Sequence, residues 1–193
     1  MNHEPTYFEI LLTKLAFRLY GKPVYKAFAD CIPINGGEKV LDFGCGMGTV
    51  AYYVAKRLAN GQLTCLDISR RWMDVCRKTL KSYDNITYLQ AEFPKLPENS
   101  FDVVYCHFVL HDISKADLET LFPALIKSVK PDGLFIFCEP LKEADKLKFI
   151  KLLSEQSALR LKDSRITDVP LMGNSLISIY KKETKKYDHY ELR

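Results

Sequence analysis

Long apolar runs are missing from this chain. No stretch approaches the ~18 consecutive apolar residues of a membrane-spanning helix, so no span is expected. The opening residues Met1-Asn2-His3-Glu4-Pro5 lack the basic region and apolar core of a secretory leader, and none is expected. None of the six cysteines, at 31, 45, 65, 76, 106 and 138, forms a Cys-x-x-Cys pair, and several fall in predicted core strands. They read as buried, reduced thiols of a cytoplasmic protein. Neither sign of charge dominates: Lys+Arg number 28 and Asp+Glu 24, a net +4 that by itself gives no argument for nucleic acid. No internal repeat and no second domain are visible. What remains is ordinary for a soluble globular chain, 47% hydrophobic and 27% charged. At 193 residues it suffices for one domain with a full core.

The most informative stretch is Val40-Leu41-Asp42-Phe43-Gly44-Cys45-Gly46-Met47-Gly48-Thr49-Val50. A short apolar run at 39–41 reads as a buried strand. Glycines then fall at alternate positions, and Val50, Ala51, Val54, Ala55 and Leu58 follow at helical spacing up to Asn60-Gly61. Strand, glycine turn and helix form the layout of a nucleotide-binding βα unit. Glycine permits the sharp turn, lets a ligand touch bare backbone, and lets helix and strand pack closely. The helix N-terminus directs free N–H groups into the crevice. A tight turn without a ligand would use the same glycines. The pattern is Gly-x-Gly-x-Gly, since position 49 is threonine, and Asp42 stands two residues before the first glycine. A carboxylate there repels a pyrophosphate and suits an amino group.

This segment resembles motif I of the class I S-adenosylmethionine-dependent methyltransferases. The resemblance continues in Ser100-Phe101-Asp102-Val103-Val104, in Val109-Leu110-His111-Asp112-Ile113 and in Val129-Lys130-Pro131-Asp132-Gly133-Leu134. It covers about residues 36–182 and is similar to the small-molecule, ubiquinone- and menaquinone-biosynthesis-like members. It implies that Gly44, Cys45, Gly46 and Gly48 lie against the methionine part of the cofactor, with Asp42 near its amino group. Asp67, followed by Ile68, ends the second strand and would hold the ribose; capping the next helix is its other reading, although Ser69 can do that. Trp72 stands where the family often has a residue beside adenine, or it packs in the core. Gln90-Ala91-Glu92 replaces the family's Asp-Ala-Glu, so Gln90, Ala91 and Glu92 would read adenine. A glutamine carbonyl still accepts the bond, though the match is weaker. Cys106 and His107 would line the methyl end. His107 and His111 are candidate bases, or they hold a loop by hydrogen bonding; two histidines are too few for a metal site, and none is expected.

The periodicity supports this layout. Thr6 and Glu9 form a capping box for a helix over 6–20 that Gly21 ends, with a second helix over 24–30. Residues 1–35 would be a helical extension that either covers the sheet or acts as a lid, with Tyr7, Phe8 or Tyr20 facing the acceptor pocket. Strands are expected at 62–66, 86–89, 101–105 and 134–138. Helices are expected at 70–81, over 114–129 with Pro123 kinking or splitting it, and at 144–157. Lys130-Pro131-Asp132-Gly133 ends the second of these helices. Segments 161–167 and 175–182 read as a hairpin joined by 170–174, and 183–193 is a polar tail, frayed from 185.

Five βα repeats and a hairpin give an α/β, doubly wound, Rossmann-like sheet of seven strands in one domain over 1–193. The resemblance implies the order 3-2-1-4-5-7-6 with strand 7 antiparallel. It implies S-adenosylmethionine as cofactor, S-adenosylhomocysteine as product and a small-molecule acceptor methylated by in-line displacement. Membrane and nucleic-acid partners are not expected. The chain has no Asn/Asp-Pro-Pro-Tyr motif, and Phe137-Cys138-Glu139-Pro140 has the wrong order for the Pro-Cys nucleophile of cytosine methylation. An RNA or protein methyltransferase, or a binding protein without turnover, is the alternative.

Overall fold

The parallel strands β1 to β5 end on one side of a seven-stranded sheet whose order is β3-β2-β1-β4-β5-β7-β6. The computed structural model describes residues 4–92, 94–170 and 172–184. The tail from 185 onward and Leu171 of the expected hairpin turn lie outside the described residues. The strands are β1 (Lys39–Phe43), β2 (Gln62–Asp67), β3 (Ile86–Gln90), β4 (Phe101–His107), β5 (Val129–Pro140), β6 (Leu159–Val169) and β7 (Gly173–Lys182). Strands β1 to β5 pair in parallel, while β7 runs antiparallel to both β5 and β6. This is the expected order and direction.

The helices are α1 (Tyr7–Tyr20), α2 (Ala27–Cys31), α3 (Thr49–Ala55), α4 (Arg70–Thr79), α5 (Lys115–Ser128) and α6 (Ala144–Glu155). Alternation along the strands feeds two cores, as the two-residue period of a strand requires. Val40, Val103, Tyr105, Ile136 and Cys138 face the layer of α2, α3 and α4. Leu41, Val104, Cys106, Phe135 and Phe137 face α5 and α6, where Leu118, Phe122, Leu125, Leu147 and Ile150 meet them. Among the described residues no helix is long and apolar enough to cross a membrane.

Three expectations change. Gly21 does not end the first helix, because α1 runs on through a π-helical stretch (Gly21–Lys26) into α2. Its backbone is right-handed helical, with φ −54° and ψ −44°. The glycine serves close approach: a Cβ there would sit 2.8 Å from the Tyr53 hydroxyl and 3.5 Å from the Phe17 ring. Pro123 does not split α5, which is one helix from Lys115 to Ser128. The ring is on the exposed side, where water can take the carbonyl that proline leaves unpaired. The fifth strand begins at Val129 rather than at 134: α5 ends at Ser128, and residues 130–133 form an irregularity inside β5, between the pairs Phe101↔Val129 and Val103↔Leu134. Asp132 takes φ +64° there, and Lys130–Asp102 and Lys181–Asp132 ion pairs, each at 2.7 Å, pin the protruding segment.

The α5 seam gives a direct check. Phe122 is 1% exposed and meets Phe135 edge-on, with ring centroids 5.3 Å apart. Phe122→Ala should cost about 3–5 kcal/mol in urea unfolding. A loss below about 1 kcal/mol would show that α5 does not pack as described.

Candidate active site

The carboxyl ends of β1, β2 and β4 open into a cleft of about 630 Å³, within the range of small-ligand pockets. Its floor is the turn after β1. Gly44, Gly46 and Gly48 all have positive φ, at +74°, +52° and +80°. Gly44 has to be bare, since its Cβ would lie 2.3 Å from Val109 Cγ2. Gly46 differs: a Cβ there meets nothing within 4 Å, and the residue lines the cleft. It therefore offers uncovered backbone to a ligand. Gly48 is the N-cap of α3, packed below the turn where its Cβ would meet Cys76 Sγ at 2.9 Å.

The tip of β2 holds this turn. The Leu66 carbonyl accepts the N–H groups of Gly44 (2.8 Å) and Cys45 (3.0 Å). The Asp67 carboxylate accepts those of Gly46 (2.8 Å) and Ser69 (2.9 Å). Burial raises the Asp67 carboxyl despite these bonds. Ser69 caps α4 through Trp72 N–H, so capping falls to Ser69 and leaves the face of Asp67 to the cleft. Ile68, Trp72 and Glu92 line the same part of the wall.

On the other side, His107, Phe108, Val109, Ile113, Leu121 and Met172 form a largely apolar wall. Phe108 takes φ +55°, uncommon for a bulky residue and a mark of constraint at sites of function. Its N–H donates to the Cys138 carbonyl at 2.9 Å. The next residues are held by Glu139, a carboxylate with 0% exposure. It accepts the N–H groups of Val109 (3.1 Å) and Leu110 (2.8 Å) and bonds His111 Nδ1 at 2.5 Å. Burial works against protonated His111, but the Glu139 hydrogen bond and the charges of Glu139, Asp112 and Glu143 outweigh it and raise its pKa. Burial lowers His107 to about 3, and the ring sits among Phe28, Tyr25 and Phe108.

The N-terminal segment borders the cleft. The Glu4 carboxylate accepts from Ser69 Oγ (2.8 Å), Arg70 N (2.9 Å) and Arg71 N (3.1 Å) at the start of α4. Those bonds, that from Ser69 foremost, lower the Glu4 pKa. Tyr7, Phe8 and Tyr20 do not face the cleft; Thr13 and Tyr25 do. Tyr7 is 83% and Phe8 66% exposed. Helical phase explains the correction, because Ile10, Thr13 and Phe17 occupy the inward side of α1.

A second, more open depression lies at the amino end of β5, between Asp132, Arg160, Lys181 and Lys182. It gathers surface ion pairs and none of the strand-tip residues.

Residues 40–133 match the family model described as "Methyltransferase domain". Over this stretch, just under half of its length, the chain is similar to the class I S-adenosylmethionine-dependent methyltransferases. The demethylmenaquinone methyltransferase of Tropheryma whipplei (strain Twist) is 29% identical over 116 residues, covering 59% of this chain and 46% of that protein. The release factor glutamine methyltransferase of Rhodopirellula baltica is 33% identical over 129 residues, covering 64% and 41%. The matched part thus spans about half the length of these curated relatives. The N-methyltransferase NodS from Bradyrhizobium japonicum superposes with TM-score 0.71 at 16% identity, over 85% of this chain and 97% of that one, which shows the shared fold.

The cleft fits S-adenosylmethionine, the cofactor of the proteins it resembles, by two features of the chain. One is the uncovered backbone of Gly46. The other is Asp42 Oδ2, buried beneath the turn and, like Tyr105 Oη on the adjacent strand, without a hydrogen-bond partner among the described residues. Burial pushes the Asp42 carboxyl well up, and a cation above the turn would draw it back down.

Of the residues singled out from sequence, Gly44, Cys45, Gly46, Asp67, Ile68, Trp72, Glu92 and His107 come together on the wall. The others stand off it. Asp42 and Gly48 lie behind the turn. Gln90 is turned to the Ile68 carbonyl at 3.4 Å, and Ala91 donates its N–H to the Asp67 carbonyl. Cys106, expected at the methyl end, points into the α5–α6 core because it alternates with His107 along β4. His111 is engaged with Glu139 and reaches the cleft only through Asp112, 3.4 Å from its Nε2. Neither histidine belongs to a three-ligand group. Among the described residues such a group occurs only at Cys45, Cys65 and Cys76, whose Sγ atoms lie within 4.8 Å of one another in the core below the turn.

Sequence reasoning passed over Glu139, Phe108, Thr13 and Tyr25. A carboxylate closing a continuously apolar strand was the available signal for Glu139, since a buried charge needs dedicated partners. The clamp is testable by imidazole NMR. His111 should titrate above 6.5, and Glu139→Gln should lower it. A histidine whose pKa is raised on folding contributes stability that is full below the unfolded value, near 6.5, and is lost as pH rises through the folded value. The variant should flatten that fall. A parent His111 titrating at or below 6.5 would rule out the charged pair.

Proposed function

We propose that the protein transfers a methyl group from S-adenosylmethionine to a small, largely apolar acceptor. The observation that carries this reading is the cleft's charge. Among the described residues its wall holds Asp67, Glu92, Asp112 and Asp117 and no lysine or arginine. S-adenosylmethionine brings a sulfonium and an ammonium, which such a wall attracts; a dinucleotide pyrophosphate or an RNA backbone would want the opposite sign.

When bound, the cofactor supplies a methyl on a good leaving group. The chain's own residues align and exclude water. Gly44, Cys45 and Gly46 take the methionine portion, and Asp67 accepts from the ribose hydroxyls. Ile68 and Trp72 flank adenine, with Glu92 in place of Gln90 at its edge. His107, Phe108 and Val109 face the reacting methyl, and Ile113, Leu121 and Met172 enclose the acceptor. An apolar ring like that in the name of the Tropheryma relative suits these walls. The protein-acceptor alternative, suggested by the release-factor relative, would need an open groove beside the methyl, where this cleft has the 4–31 segment. The six free thiols suit a cytoplasmic setting.

Two measurements test this. S-adenosylhomocysteine at ~100 times its dissociation constant should add about 2.7 kcal/mol of stability, seen as a raised melting temperature, and NAD should add none. Gly46→Val should abolish the shift, and Asp67→Ala should weaken binding by about 1–3 kcal/mol. A shift with NAD alone would sink the cofactor assignment. Methyl-labelled cofactor should label a reduced naphthoquinone and not tRNA or bulk protein; label in tRNA would overturn the acceptor class.

The 4–31 segment is then a cover for the cleft, tied at Glu4 on one side and at Tyr25 and Phe28 against His107 on the other. Hydrogen exchange over 6–30 should slow when S-adenosylhomocysteine binds. Unchanged exchange would make it a static wall.

A further inference from the structure

The outer face of α1 belongs to no core. Phe8, Leu11, Leu12, Leu15 and Leu19 are 66, 62, 48, 50 and 61% exposed. Their spacing puts them on a single stripe of the helix. The rotation of α1 is settled by its inner face: Ile10 is buried, and Phe17 makes edge contacts with Tyr25, Tyr52 and Tyr53. The stripe is thus held outward, and nothing among the described residues covers it. Contiguous exposed apolar surface of this kind marks an interaction site.

Charge identifies the occupant. Lys14, Arg18 and Lys22 are exposed and recur every four residues along one border of the stripe. They make no ion pair among the described residues, whereas Lys26, next in the series, pairs with Asp30 at 2.6 Å. The only acid in α1, Glu9, is turned into the capping box with Thr6. A second copy of this face would offer leucines but no carboxylates, and would set basic shoulder against basic shoulder. A surface of acyl chains with phosphates above them satisfies both halves of the stripe.

We propose that α1 is an interfacial helix that docks the protein on an anionic lipid bilayer, lying in the plane of the surface with Phe8, Leu11, Leu12, Leu15 and Leu19 inserted and Lys14, Arg18 and Lys22 at the headgroups. It spans nothing, in keeping with the absence of a spanning helix among the described residues. Thr13, on the same helix, and Tyr25 line the cleft. Docking therefore brings the cleft's rim to the lipid, and an apolar acceptor can enter without crossing water. The docking surface stands independently of the acceptor's identity.

Vesicle sedimentation with the full chain and no cofactor tests it. The protein should pellet with phosphatidylcholine vesicles containing about 30% phosphatidylglycerol and stay largely soluble with phosphatidylcholine alone. Raising salt from about 0.1 M to about 0.5 M should release part of it. The double variant Leu11→Glu, Leu15→Glu should bind about tenfold or more weakly, and Lys14→Glu, Arg18→Glu should lose the preference for anionic vesicles. Both change exposed side chains, so melting temperature and the response to S-adenosylhomocysteine should stay at the parent's values. A parent that does not pellet, or variants that pellet like it, would overturn the proposal. So would a dimer in light scattering that Leu11→Glu, Leu15→Glu converts to monomer without vesicle binding by the parent, since the stripe would then seat a second copy.

Discussion

Three consecutive N–H groups of the turn after β1, those of Gly44, Cys45 and Gly46, are held by two residues at the end of β2. The cleft depends on this. Strands β1 and β2 are parallel and in register through Phe43↔Leu66, so they end side by side and Asp67 stands next to the turn. A one-residue slip would send the Asp67 side chain to the other face and strand the Gly46 N–H. Gly44 and Gly46, both left-handed, aim their N–H groups toward β2 and leave the opposite side of Gly46 bare. Sheet register, turn conformation and ligand surface are one constraint seen at three scales.

The second wall is built by the same means from other residues. Val109 and Leu110, just beyond β4, donate to the carboxylate of Glu139 at the end of β5, and Phe108 is held in its positive-φ conformation between that clamp and the Cys138 carbonyl. Three carboxylates, those of Asp67, Glu139 and Glu4, thus organise backbone around the cleft, each ending or approaching an element where N–H groups are unpaired. A buried carboxylate satisfied by several N–H groups is an inexpensive way to fix a loop whose side chains must remain available.

Much of the fold was legible because it rests on period and punctuation. The apolar runs at 101–105 and 134–138, the glycines at 44, 46 and 48, and the capping pair at Thr6/Glu9 each have local causes, and the sheet order followed from the resemblance. The site was legible where it coincides with backbone, as at Gly44, Gly46 and Asp67. It failed at Cys106, where one step of strand alternation separates cleft from core, and at Tyr7, Phe8 and Tyr20, where one turn of helical phase does. Gly21 was misread because glycine signals helix ends and close packing alike; the Tyr53 ring that makes the difference comes from 32 residues away. Glu139 has no local signature, since its partners lie about 30 residues back, on the turn after β4.

The wall that meets the acceptor has one further consequence. Under the proposed function, methylating a hydroxyl or an acidic carbon releases a proton, which passes either to a group in the cleft or to solvent. Burial lowers His107 to about 3, so it is a poor proton acceptor at neutral pH although it lines the cleft. His111 is already biased toward its protonated form by Glu139. The remaining basic groups on the acceptor side are the carboxylates of Asp112 and Asp117. Carboxylates are weak bases, so they serve an acceptor whose own proton is acidic, such as a phenol or an enol, far better than an amine or an amide. Under the proposed function, the cleft's poverty in strong bases favours the same acceptors as its apolar lining, electron-rich rings that reach the methyl already close to their anionic form.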